Sequence, residues 1–403
     1  MSRRAEGRGQ RAERGALAGI LIADFSRILA GPLCTQILSD AGARVIKIEE
    51  ARLGDETRRW GPPFAGDVSA YFLSVNRNKE SLALDLRSEE GRAIAAKLIA
   101  RADVVIDNFL PAQRATLGLD RVMKLNPRAI HCSITGFDSD LADAERPGFD
   151  LLAQAGAGLM SITGRSDGEP SKVGVALSDV LTAHYAASAI GAALYGREKN
   201  GKGQRIEVSL FASTLASLVN VAQNALVTGK EAGRFGNAHP SIVPYQLFHA
   251  SDRAFVVGAG TDRHFKHLCS KVIGRMELAE DPRFSTNAAR VKNRSALITI
   301  LEEIFRSRKA SQWVARCRRA GVPAEIVRGV REALRTAGGR AVTVKAGDYE
   351  TVASPVRIDG KRPGVKSPPP VLGEQSESIL RELGYTRREI AAFAAAGVIG
   401  TKR

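Results

Sequence analysis

One acidic side chain, Asp179, stands alone in "KVGVALSDVLTAHYAASAIGAAL", residues 172–194. A short extended piece precedes it and an Ala-rich helical pattern follows it. Two kinds of chemistry suit such a carboxylate. As a helix N-cap, its oxygen would accept a backbone N–H that the first turn leaves unpaired. As a nucleophile, it would attack an acyl carbon. The roles are compatible, because a helix N-terminus holds a carboxylate in one rotamer and its dipole favours the ionised form. Taken alone, the residue types favour the cap.

The other reactive side chains form no recognisable constellation. The histidines, His131, His184, His239, His249, His264 and His267, have neither HExxH nor another metal-ligand spacing. His239, in a Gly/Asn/Pro-rich loop, is the one placed for chemistry; His184 reads as a packed helix residue and His264 and His267 as surface. Cys34, Cys132, Cys269 and Cys317 are scattered singly, which indicates neither zinc nor a disulfide framework. Cys34 has no positioned base and reads as a core thiol. A GxSxG elbow is missing. So are a GxGxxG joining strand to helix and a GxxxxGK[ST], which removes the default nicotinamide and phosphate-loop readings.

The elements that must position Asp179 alternate. "GILIADF" (19–25), "RVIKIEE" (44–50), "SLALDL" (81–86), "DVVIDNF" (103–109) and "AIHCSIT" (129–135) read as strands. "GPLCTQILSDAG" (31–42) and "SEEGRAIAAKLIARA" (88–102) read as helices, the second opened by Ser88. This predicts parallel βαβ units and a doubly wound sheet, with ligands outside the carboxyl ends of its strands. "GKGQR" (201–205) is a turn into the strand "IEVSL". After about residue 215 the texture becomes that of a smaller α+β domain, and "KRPGVKSPPPVLG" (361–373) is an extended connector. The expected division is a leader over 1–17, a large domain over 18–215 with 345–403, and a small domain over 225–335.

With 403 residues, two domains are expected. No apolar run approaches a bilayer span, so no membrane partner is expected. "MSRRAEGRGQRAERG" has no apolar core and reads as a disordered leader; Glu6 and Glu13 count against a mitochondrial transit peptide. Isolated cysteines suit the cytoplasm. The formal charge of +16 is spread along the chain with no RNP, zinc-finger or helix-turn-helix pattern, so it suits a polyanionic small molecule better than nucleic acid.

Several stretches together resemble one family. They are "IADFSRILAGPLCTQILSDAGARVIKIE", "GDETRRWGPP", "NRNKESLALDL", "ADVVIDNF", "NPRAIHCSITGF", "GVALSDV", "GKGQRIEVSL" and "LGEQSESILRELGY". In this order, over roughly 18–400, they resemble the class III coenzyme A-transferases, also called CaiB/BaiF. "GRFGNAHPSIVPYQLF" followed by "VVGAGTDRHF" is most similar to the succinate–hydroxymethylglutarate (glutarate) branch. The resemblance implies an α/β fold: a Rossmann-like large domain with a smaller α+β domain, in a homodimer whose ring-shaped subunits interlock. It implies Asp179 as the catalytic residue. It implies coenzyme A contacts at Arg27, Leu29 and Ala30, at Leu84 and Arg87, and at Asn108 and Phe109, all after strand carboxyl ends. Coenzyme A would enter and leave as a substrate, with no permanently bound cofactor.

There are departures. Glu50 stands where many members have arginine, with Arg52 as a candidate substitute, and Thr116 stands where another family arginine falls. "AHPSIV" (238–243) replaces the glycine-rich loop of formyl-CoA transferases, which argues against formyl or oxalyl groups. Phe149, in "RPGFD", replaces the histidine of related racemases. The implied reaction moves coenzyme A from an acyl-CoA, such as succinyl-CoA, to a free acid, preferably a dicarboxylate. An aspartyl anhydride and thioester would be intermediates, with backbone N–H groups at the catalytic helix start or in 236–243 holding the oxyanion. An α-methylacyl-CoA racemase-like enzyme and a non-catalytic CoA-binding homologue are the alternatives.

Overall fold

A computed structural model describes residues 15–401. The expected leader lies outside these residues except for its last three, which form a turn tied down where Leu17 N donates to Ala41 O. Two compact units result. One runs up to Leu159 and adds Lys172–Lys230 and the chain from Ala337 on; the other comprises Met160–Ser171 and Glu231–Thr336. The sequence reading had kept 160–171 with the large domain. Arg234 explains the difference, since its guanidinium donates to the carbonyls of Ser161, Arg165 and Gly168.

The first unit is built in chain order from β1 (Leu21–Asp24), α1 (Ala30–Asp40), β2 (Arg44–Glu49), β3 (Lys79–Leu84), α2 (Glu89–Arg101), β4 (Val104–Asp107) and β5 (Ile130–Thr135). It continues with α3 (Asp150–Gly156), α4 (Leu177–Asn200), β6 (Gln204–Ser209), α5 (Leu210–Ala216) and α6 (Asn220–Thr228). The sheet order is β3-β2-β1-β4-β5-β6, with a two-residue strand, Ile399–Gly400, outside β3. Every pairing is parallel except that of Ile399–Gly400. Strand order reverses between β1 and β4, so a crevice opens there above their carboxyl ends.

Alternation along the strands fills both faces. Ile22, Val45, Val104 and Ile106 join α1 and α4 in one core. Ala23, Ile46, Ile48 and Val105 join α2 and the C-terminal helical segment in the other. The Ala-rich pattern of α4 has its reason here: Ala183, Ala186 and Ala193 are buried, and small side chains let α4 lie close on α1. Gly201, at φ 72°, ends α4 in the left-handed conformation that glycine adopts without strain. Ser88 caps α2 by accepting Gly91 N–H at 3.0 Å, as its position predicts.

The second unit holds a three-stranded antiparallel sheet in which β8 (Ala254–Gly258) lies between β7 (Tyr245–His249) and β9 (Ala324–Ile326). Helices α7 (Asn287–Lys292), α8 (Arg294–Phe305) and α9 (Ala310–Arg319) complete it. Phe248, Phe255, Phe305 and Trp313 form its aromatic centre, with Phe305 edge-on to Trp313 at 5.2 Å.

Candidate active site

Asp179 is the third residue of α4, not its cap. The N-cap position is Ala176, which has no side chain to offer. The cap comes from another helix: Asp150, the first residue of α3, accepts Ser178 N–H on Oδ1 at 2.9 Å. This frees the Asp179 carboxylate to face a cavity. Ser178 is itself fixed, with Thr214 Oγ1 donating to its hydroxyl at 2.7 Å and Thr182 Oγ1 donating to its carbonyl. Burial pushes the Asp179 carboxyl up to about 7, and the negative charge of Asp150 adds to the effect. The sequence reading had the dipole keep it ionised; lost solvation and a like charge outweigh that dipole.

The loop from β1 to α1 lines the same small cavity as Asp179. Asn108, just after β4, clamps it from both sides: its Oδ1 accepts Arg27 N–H at 2.9 Å and its Nδ2 donates to Arg27 O at 2.8 Å. Ile28 adopts a left-handed φ of 72°, held by a hydrogen bond from its N–H to Asp55 Oδ2 at 3.1 Å. Asp55 is in turn paired with the fully buried Lys47 at 2.9 Å. Burial alone would raise Asp55, but the Lys47 charge and the hydrogen bonds of Thr57 bring it down to about 2. A second buried pair, Lys79–Asp24, lies beneath the same loop, with burial drawing Lys79 down to about 8. The turn is therefore locked before α1 begins, and α1 opens with no side-chain cap on its free N–H groups.

Two cavities share Arg27 and Phe109 as a common wall, with the guanidinium 5.0 Å over the phenyl ring. The smaller, about 70 Å³, is lined by Asp179 together with Arg27, Leu29, Ala30, Asn108, Phe109 and Phe149. The larger, about 410 Å³, is lined by Leu84, Arg87 and Thr116 besides Arg27 and Phe109. The residues that the resemblance assigns to catalysis and coenzyme A contact, with Thr116 and Phe149, thus all line one or other cavity. The candidate substitute Arg52 does not. Glu50 lines the larger cavity but spends its carboxylate on Arg52 N–H and Leu53 N–H, and the exposed Arg52 is not in the wall. Arg114, two residues before Thr116, is buried against Asp107 at 3.0 Å. His239, in the second unit, accepts Ser241 N–H on Nδ1, while Arg294 holds the carbonyls of His239 and Pro240, so it has a structural job in its own loop.

Sequence reasoning missed several members of the site. Asp150 supplies the cap. Gln154, fully buried on α3, ties Asp150 to the segment before α4. Outside both cavity walls, Tyr71 is pushed up to about 12 by burial and by the charges of Asp179, Asp150 and Asp55. Gly136 and Gly148 touch backbone to backbone in the smaller cavity's wall, where a Cβ on Gly148 would fall 2.3 Å from Gly136 Cα. Only the four-residue spacing of Asp150 and Gln154, one helical turn, was visible as a signal in the sequence. Among the described residues no group of three or more His, Cys, Asp or Glu could hold a metal ion.

Known proteins share this arrangement of strands and loops. Residues 17–376 match the family model of CoA-transferase family III. The succinyl-CoA:glutarate CoA-transferase of Homo sapiens is 39% identical over 393 residues, 95% of this chain and 90% of that protein. The acetyl-CoA:oxalate CoA-transferase of Acetobacter aceti is 40% identical over 379 residues, 92% of this chain and 96% of that protein. A crystal structure of a CAIB/BAIF family protein from Brucella suis superposes with a TM-score of 0.84 at 40% identity, covering 92% of this chain and all of that one. A locked turn above the switch point, a carboxylate facing it and this breadth of similarity lead to one conclusion: the chain belongs to CoA-transferase family III.

Proposed function

We propose that the protein transfers coenzyme A from succinyl-CoA or a similar acyl-CoA to a free dicarboxylate, with Asp179 as the nucleophile. The observation that carries this is that Asp179 lines one small cavity together with Leu29 and Ala30, at the uncapped start of α1. In a Rossmann-like reading of the first unit, the larger cavity takes the body of coenzyme A at the switch point. The thioester then lies between Asp179 and the N–H groups of Leu29 and Ala30, which suit an oxyanion better than the catalytic helix start expected from sequence, where Asp150 already takes Ser178 N–H.

The Asp179 carboxylate attacks the acyl carbon, the C–S bond breaks, and an acyl-aspartyl anhydride and coenzyme A thiolate form. The thiolate attacks the aspartyl carbonyl, releasing the donor acid and leaving an aspartyl–CoA thioester. The acceptor carboxylate attacks that thioester, and the returning thiolate takes the new acyl group. Each step exchanges one anion for another, so no net proton is needed. A carboxyl raised to about 7 is about half ionised at neutral pH and is more basic, hence more nucleophilic, than an ordinary aspartate.

Named activities on glutarate and oxalate among relatives of similar identity support a dicarboxylate acceptor. The oxalate-using relative also weakens the expectation that the 238–243 loop turns oxalyl groups away. An interlocked homodimer and a cytoplasmic setting belong to the same reading; the four buried, unpaired thiols support the latter.

The test supplies succinyl-CoA with a panel of free acids and follows new acyl-CoA masses. In parallel, donor alone is given with hydroxylamine. A hydroxamate on Asp179 that depends on donor is expected, and Asp179→Asn should lose about 10³-fold or more in turnover. Near-parent turnover in Asp179→Asn, or label on another carboxylate, would reject the assignment.

A further inference from the structure

The segment that leads into α4 has no regular structure of its own, yet it must deliver Asp179 at a fixed height above the cavity. One buried side chain gathers it. Gln154 is fully buried on α3. Its Oε1 accepts Val173 N–H at 2.8 Å, and its Nε2 donates to Asp150 Oδ2 at 2.8 Å and to Val175 O at 3.3 Å. The amide can face only one way. Reversed, it would set an oxygen against the Asp150 carboxylate and an N–H against Val173 N–H. Asp150 then passes the constraint on, because its other oxygen accepts Ser178 N–H, one residue before Asp179.

We propose that Gln154 is a positioning residue for transfer, fixing the first turn of α4 through Asp150 and so setting the reach of the Asp179 carboxylate. This deepens the nucleophile reading above and rests on it. Gln154 touches the strap and Asp150, not the cavity, so its loss should slow acyl attack without weakening donor binding. Every polar atom of its amide is used, so no water or neighbour can easily replace it in a buried site. A misplacement near 1 Å at the reacting group can cost about 10²-fold.

The arrangement also predicts a rescue. Gln154→Glu sets two carboxylates against each other, and Asp150→Asn sets two NH₂ groups against each other or turns an amide the wrong way. The double exchange, Asp150→Asn with Gln154→Glu, restores complementarity at Asp150 and Val173: Asn Oδ1 accepts Ser178 N–H, Asn Nδ2 donates to the new carboxylate, and that carboxylate accepts Val173 N–H, while the longer bond to Val175 O stays lost.

The experiment measures kcat, acyl-CoA KM and the rate of donor-dependent hydroxamate formation at Asp179, with melting curves to register folding. Gln154→Met and both single exchanges should lose about tenfold or more in kcat and in labelling rate, with KM within about twofold. The double exchange should recover part of the loss, the bond to Val175 O being the part it does not replace. If Gln154→Met fails to fold, the rescue alone decides. Labelling at the parent rate in Gln154→Met, or a double variant no better than the worse single, overturns the proposal. Absence of label at Asp179 in the parent is a separate failure, of the nucleophile reading itself, and is seen before any variant is compared.

Discussion

At the scale of the residue, the position of Asp179 in its helix decides its chemistry. A carboxylate at the cap would be spent on a backbone N–H; at the third helical position it is free, because Asp150 caps in its place. Burial and Asp150 then raise it to about 7. The free enzyme should therefore show kcat/KM for acyl-CoA rising with pH and levelling above about 7, and Asp150→Asn should move that limb to lower pH. A profile flat from pH 5 to 8 would contradict this. The same shift has a sign for stability. The folded state holds a proton that the unfolded chain releases between about pH 4 and 7, so stability falls as pH rises through that window. Asp179→Asn should melt above the parent at pH 8, by at most about 4 kcal/mol at roughly 1.4 kcal/mol per unit, and with it at pH 4. The isolation of Asp179 in an apolar stretch was legible, but the residue types alone favoured a cap, and only the family resemblance implied the nucleophile. Its protonation was not legible, because Asp150 is twenty-nine positions away in sequence and only the packing of α3 on α4 brings the charges together.

At the scale of the element, the site is a loop held between strand ends. β1 and β4 lie side by side, so whatever follows each of them meets above the sheet. Alternating strands and helices made the strand ends legible as the place for a ligand, and the residues that the family resemblance put after "IADF", "LALDL" and "VVIDNF" line two adjoining cavities there. The buried polar scaffold was not legible, because Lys47, Asp55, Lys79 and Asp24 look in sequence like ordinary surface charges. Each is buried here, and pairing offsets the cost of burial. Asn108 gives the cleaner test of the loop, since it is neutral. Asn108→Ala removes two hydrogen bonds to the Arg27 backbone, each worth about 1 kcal/mol. Acyl-CoA KM should rise about tenfold because Arg27 walls both cavities, and kcat should fall as well, because the same loop carries the Leu29 and Ala30 N–H groups proposed for the oxyanion. Parent values of both KM and kcat would mean that the Asn108 clamp is not what holds the loop.

At the scale of the whole molecule, one feature of the first unit leaves apolar side chains uncovered. Helix α6 buries none of its residues, and its Leu226 and Val227 are 80% and 75% exposed. It follows α5 at a bend of 80°, with Val219 at a φ of 45°, a conformation a β-branched residue adopts only under constraint. A nine-residue helix has little stability of its own. Among the described residues no single helix is long and apolar enough to cross a membrane. In the homodimer proposed above a second copy of the chain would cover this face, and large exposed side chains elsewhere in the unit, such as Leu151 and Tyr195, would give such a contact more area. If the two copies are linked as rings, the contact is more than adhesive, because separation requires unfolding. Light scattering should give twice the chain mass at every dilution. Mixing tagged and untagged protein under native conditions should yield no mixed dimer, whereas co-refolding from denaturant should. Leu226→Asp with Val227→Asp would then lower the melting temperature without releasing native monomer. Mixed dimers from native mixing, or folded monomer on dilution, would leave an ordinary dissociable dimer and remove the linked rings.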